Sequence, residues 1–142
     1  MPTAVSVNMF AVLVSTVAAM AIGTLWYSPL LFVNTWLKEI GVDPNDKATL
    51  EKGRKDMPKM MVGQLIASFI TAFILGQMLS YTGVTTAGVG AIFAAWIWLG
   101  FYATSAASHV FFEGKSWKWF AINSGCSLVT VLVMGAILGA WH

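Results

Sequence analysis

MMVGQLIASFITAFILGQMLSYTGVTTAGVGAIFAAWIWLGFYATSAASHVFF, residues 60–112, contains no Asp, Glu, Lys or Arg. A bilayer core about 30 Å thick takes roughly 20 apolar residues per helix, so this run has room for two spans. Near its middle, Tyr81-Thr82-Gly83-Val84-Thr85-Thr86-Ala87-Gly88 carries the glycines and hydroxyls of a turn. The stretch predicts two membrane helices, about 60–81 and 87–112, joined by a short connection. The second is long enough to tilt or to project beyond the core.

The flanks repeat the theme. Residues 5–27 form an apolar run whose polar side chains are limited to Ser6, Asn8, Ser15, Thr16, Thr24 and the terminal Tyr27. Residues 1–8 carry no side-chain charge, unlike the basic leader of a signal peptide, so a retained span is expected. Trp26 and Tyr27 read as interfacial anchors, and Ser28-Pro29 as a helix stop. A fourth span covers about 120–141, before His142. Of the 142 residues 58% are hydrophobic and 10% charged, against about a quarter charged in soluble domains. The fold expected is all-α: a single domain with four transmembrane helices.

Between the first two spans, residues 28–59 form a connector. Leu30, Val33, Trp36, Leu37 and Ile40 recur at helical spacing; eleven residues cannot span, which predicts a short interfacial helix ended by Gly41. Asp43-Pro44 reads as an N-cap with proline at the first helical position. The helix that follows, to Lys59, has Lys47/Glu51, Glu51/Lys55 and Lys52/Asp56 at i,i+4, the pattern of a solvated helix or of a docking surface for a cytoplasmic protein.

All eight Lys and Arg residues lie within 28–59 and 113–118. The positive-inside rule puts both loops in the cytoplasm and both termini outside, the arrangement expected in a bacterial inner membrane. A net charge of +2 with acids interleaved among the bases argues against nucleic acid as a partner. Membrane lipid is the environment expected. A single cysteine, Cys126, within an apolar run reads as a buried thiol.

Three polar stripes interrupt the spans: Gln64, Ser68 and Thr71; Thr104, Ser105 and Ser108 beside His109; and Asn123, Ser127 and Thr130. All lie towards the basic end. Together they could line a hydrated cavity, although hydrogen bonding between helices is the commoner use of such groups. His109 is the only ionisable side chain inside a span, with Glu113 at i,i+4. That pair reads either as a proton-titrating site or as a bond closing the helix end. Trp96 and Trp98 fall near mid-span, where bulky packing or a constriction is expected. Gly135 and Gly139 make a GxxxG, and Ala19 and Gly23 a second small-residue pair. Such motifs allow close helix approach and suggest a homo-oligomer. No nucleophile–base–orienter set, phosphate loop or dinucleotide fingerprint occurs, so no enzyme activity, cofactor or metal is expected. The functional expectation is a small oligomeric channel or transporter for an ion or small solute. The alternative is a non-catalytic assembly protein acting through 43–59.

Gly23-Thr24-Leu25-Trp26-Tyr27-Ser28-Pro29-Leu30-Leu31-Phe32, then Trp36, and the later Phe112-Glu113-Gly114-Lys115 turn resemble the DUF1761 family of small bacterial membrane proteins. The resemblance extends over essentially the whole chain and implies four spans. It brings no activity and no catalytic residue with it.

Overall fold

The computed structural model describes residues 7–28, 30–43 and 45–141. Ser6, Pro29, Pro44 and His142 lie outside them. Among the described residues the elements are α1 (Met9–Trp26), α2 (Val33–Glu39), α3 (Lys47–Thr82), α4 (Ala87–Ile97), a π-helical stretch (Trp98–Ala103), α5 (Thr104–Glu113) and α6 (Trp117–Ala140). No strand occurs among them. Four helices are long and apolar enough to cross a membrane: α1, α3, Ala87–Glu113 taken as one span, and α6.

Local chemistry fixes the ends. Asn8 caps α1, its Oδ1 accepting from the Phe10 and Ala11 amides at 3.0 and 3.2 Å. Thr86 caps α4 and Ser116 caps α6 in the same manner. Gly41, Gly83 and Gly114 take positive φ at the ends of α2, α3 and α5, where only glycine turns the chain without strain. After Gly41, the Val42 amide reaches back to the Leu37 carbonyl at 2.8 Å, closing α2, which is shorter than the 30–40 helix read from the sequence.

Two boundaries differ from the sequence reading. The connector helix and the second span are one 36-residue helix, α3, about 54 Å long at 1.5 Å per residue. The charge boundary at Lys59 marks no break in the backbone. Pro58 lies inside this helix at an exposed position, where the carbonyl freed by the missing amide proton is open to solvent. Its N-cap is Asp46, not Asp43: Asp46 accepts from the Thr49 amide at 3.3 Å and from the Thr49 hydroxyl at 2.7 Å. Asp43 instead accepts from the Asn45 amide at 2.9 Å, making a turn ahead of the helix.

The spans run alternately up and down, with α6 packed against α1, α3 and α4. At one end the Phe10 and Trp141 rings meet at 5.0 Å. At the other end, which holds α2 and the Lys and Arg residues, the Ser116 hydroxyl bonds the Glu39 carboxylate. A carboxylate is favourable there because it faces the positive end of the α6 dipole. Val12, Ala72, Leu75, Leu79, Ala94, Met134 and Leu138 form the buried core, which sits towards the uncharged end.

Glycine builds the tightest contact. Gly90 of α4 lies against Gly135 and Gly139 of α6 so closely that a Cβ on Gly90 would strike the Gly135 carbonyl oxygen, and one on Gly139 would strike that of Thr86. Without a hydrophobic driving force between helices in lipid, such backbone approach supplies the van der Waals contact that holds a membrane bundle together. The GxxxG of α6 is therefore used within the chain, and its reading as a dimer face is withdrawn. The Ala19/Gly23 pair divides: Ala19 is buried, while Gly23 faces open space.

Candidate functional site: a cleft between α5 and α6

The third span changes character halfway along. Up to Ile97 it is an α-helix clamped to α6 by Gly90 and Ala94. From Trp98 to Ala103 it widens to a π-helix, and α5 beyond it packs on α6 far less closely. A π segment accommodates extra backbone within a helix and re-aims the side chains that follow. Here it opens a cleft of about 250 Å³ at the charged end, lined by Phe101, Tyr102, Ser105, His109, Trp119 and Asn123.

His109 Nδ1 and Glu113 Oε2 are 2.7 Å apart, and both side chains are about half exposed. The His109 ring stands edge-on to Trp119, centroids 5.7 Å apart, and the Lys115 ammonium lies 5.9 Å from the centre of the same indole, within cation–π range. Tyr102, Ser105, His109 and Asn123 thus share one opening; the last three come from two of the three predicted stripes, and Tyr102 was not among the residues the sequence singled out.

Most other stripe residues are satisfied on their own helix. Thr71 bonds the Ala67 carbonyl at 2.9 Å, Thr104 that of Gly100 at 2.8 Å, Ser108 that of Thr104 at 3.3 Å, and Thr130 that of Cys126 at 2.8 Å. Gln64 donates to Ser68 at 3.3 Å. Ser68 is buried, with Met20 Sδ 4.0 Å away. Thr71, Thr104 and Ser108 face outward. Hydroxyls bonded back one turn in this way lose little by facing lipid.

Asn123 holds the bundle together as well as lining the cleft. Its Oδ1 accepts from the Tyr27 hydroxyl at 2.8 Å, and its Nδ2 donates to the Trp119 carbonyl at 2.8 Å. Trp26 Nε1 donates to the Ile122 carbonyl at 2.9 Å, its ring seated over Gly125. Trp26 and Tyr27, expected as interfacial anchors, instead turn inward and tie the end of α1 to α6. Sequence reasoning missed this because an aromatic pair at a span end fits both roles; the facing Asn123 and Gly125 were the available signal. Trp96 also departs from expectation: it is 68% exposed and packs no layer within the chain.

Trp26 and Tyr27, the aromatic pair at the end of α1, are thus both bonded to α6. The family model for DUF1761, a protein of unknown function, matches residues 10–139. The chain belongs to the DUF1761 family. No curated protein and no solved structure matches it. The matched range takes in α1 from its second residue and all but the last residue of α6, so every element of the cleft lies within the DUF1761 region.

Proposed function

We propose that this DUF1761 protein is a small membrane transporter in which the α5–α6 cleft is the entry vestibule. The supporting observation is an asymmetry along the bundle axis. The charged end opens into a cleft carrying Tyr102, Ser105 and His109, whereas the other half is closed by Leu79, Met134 and Leu138 and by the Gly90–Gly135 contact. A half-pathway open at one end suits alternating access better than a standing pore. With the Lys- and Arg-bearing loops in the cytoplasm, the vestibule faces inward and both termini lie outside. A maleimide that cannot cross the membrane should then label Lys52→Cys only after the bilayer is opened. Assembly as a homo-oligomer belongs to the same proposal. It would cover outward-facing Phe111 and Phe112, 69% and 89% exposed.

Flux in proteoliposomes tests it, using protons, monovalent ions and small solutes. Wild type should move at least one species, and His109→Ala and Ser105→Trp should reduce that flux in folded, correctly inserted protein. No flux in any condition removes the reading.

One observation favours a second reading. Residues 47–59 extend α3 by about 20 Å and are exposed except at half-buried Gly53, a rigid arm that could dock a cytoplasmic partner. Capture of a partner that is lost when 47–56 is replaced by a neutral helix of equal length would support it.

A further inference from the structure

A second cavity lies nearer mid-span, open on its outer side, where Ile70 and Ile74 are 55% and 50% exposed. It has a volume of about 320 Å³ and is lined by Ile70, Ile74, Met78, Ala94, Ile97 and Val131 among others. It exists because α3 and α4 barely touch while both lean on α6. Its one polar neighbour, Thr71, has its hydroxyl bonded back to Ala67. The walls are therefore apolar, at the middle of the spans.

The two cavities are in register. Asn123 lines the polar cleft and Val131 the apolar cavity, with Ser127 between them in sequence. These three residues are spaced at i, i+4 and i+8, so they lie along one side of α6. Eight residues separate the cavities by about 12 Å along the axis. On the third span the same order holds: Ala94 and Ile97 line the apolar cavity, then Tyr102, Ser105 and His109 the polar one.

The polar end offers donors. Among the described residues the Ser105 hydroxyl makes no hydrogen bond and Lys115, over the Trp119 indole, has no ion-pair partner; His109 holds the Glu113 carboxylate on Nδ1 and keeps its second ring nitrogen free of it. An ammonium over the cleft's indole, with a hydroxyl and an imidazole lining the cleft, suits an anionic oxygen-rich group. From the second cavity, an alkyl chain would reach that group from within the bilayer.

We propose that the two cavities together bind a membrane amphiphile with a phosphate head and a single alkyl chain, the phosphate at Lys115 and Ser105 and the chain along Ile97 and Leu75, which lines the second cavity and is 6% exposed. This rests on the transporter reading and names its substrate class.

Photolabelling in phosphatidylcholine nanodiscs tests it, with hexadecyl phosphate and hexadecanol each carrying a diazirine in mid-chain. The phosphate should label Leu75 and Ile97 in preference to the outward-facing Ile92 and Trp96. Hexadecanol should label both sets alike. Lys115→Ala, its folding checked by thermal melting, should lower labelling of Leu75 and Ile97 by the phosphate about tenfold. Ser105→Trp, its folding checked in the same way, should abolish it. Equal labelling of the two sets by hexadecyl phosphate, or indifference to Lys115→Ala, overturns the proposal. Solute flux dependent on His109 without selective labelling would sink this inference and leave the transporter reading standing. Selective labelling without flux of any species, the amphiphile included, would do the reverse.

Discussion

The Tyr27 hydroxyl donates to Asn123 Oδ1 across 2.8 Å, joining the end of the first span to the fourth beside the cleft. Both groups are half-buried, so neither has free access to water as a replacement partner. Tyr27→Phe should destabilise the protein by about 1 kcal/mol, because it strands a carbonyl oxygen. Asn123→Ala should cost at least as much, since it also loses the bond to Trp119. The double variant should fall short of the sum. Thermal unfolding in detergent of the four proteins measures the coupling, and strict additivity would show that the bond contributes nothing.

Gly90 and Gly63 separate two uses of glycine. A methyl at Gly90 would meet the Gly135 carbonyl, whereas one at Gly63 would meet nothing within 4 Å. Gly90→Ala must push α4 away from α6 and should cost about 2 kcal/mol or more, as overpacking does. Gly63→Ala, on an exposed turn of α3, should stabilise by about 0.5–1 kcal/mol through the unfolded chain. The same melting experiment reads both, and opposite signs are expected.

The spans were legible because charge is excluded from them: the runs 60–112 and 120–141 need no tertiary information to be recognised. The partner of a small-residue motif is a different matter. Gly135 and Gly139 permit close approach to any helix, and only the fold shows that Gly90 occupies the position. The Lys59 boundary misled because charge marks where water begins, not where a helix ends. The π stretch left no mark in the sequence, since Trp98 to Ala103 is as apolar as the α-helix before it. The cleft was therefore half visible: Ser105, His109 and Asn123 could be named, but not Tyr102, nor the widening that brings these residues to one opening.

Asp46 makes the start of α3 sensitive to acid. Hydrogen bonds from the Thr49 hydroxyl and amide hold its carboxyl below the ordinary carboxylate range. Because the folded value is depressed, the cap stabilises the helix at pH values above the unfolded pKa, and that contribution is lost as pH falls through the folded one. On acidification the helical chemical shifts of Ala48 and Thr49 should decay towards coil in wild type. Asp46→Asn, which can still accept a hydrogen bond but does not titrate, should keep them constant. Parallel decay in both proteins would place the acid sensitivity elsewhere.

The π stretch carries the geometry of the cleft, and a deletion isolates it. Removing Gly100, whose added Cβ would meet nothing within 4 Å, shortens the widened segment by one residue and favours its return to α-helix. One residue is about 100° of rotation, so α5 would turn and carry His109 away from Trp119. In a Cys126→Ala background, His109→Cys paired with Trp119→Cys should be bridged by a short bis-maleimide, since the native rings lie 5.7 Å apart. Deleting Gly100 should abolish that bridge, whereas the α4–α6 clamp at Gly90, on the far side of the stretch, should keep the protein folded. A bridge that survives the deletion would mean that α5 is positioned by its own contacts with α6 and not by the π segment.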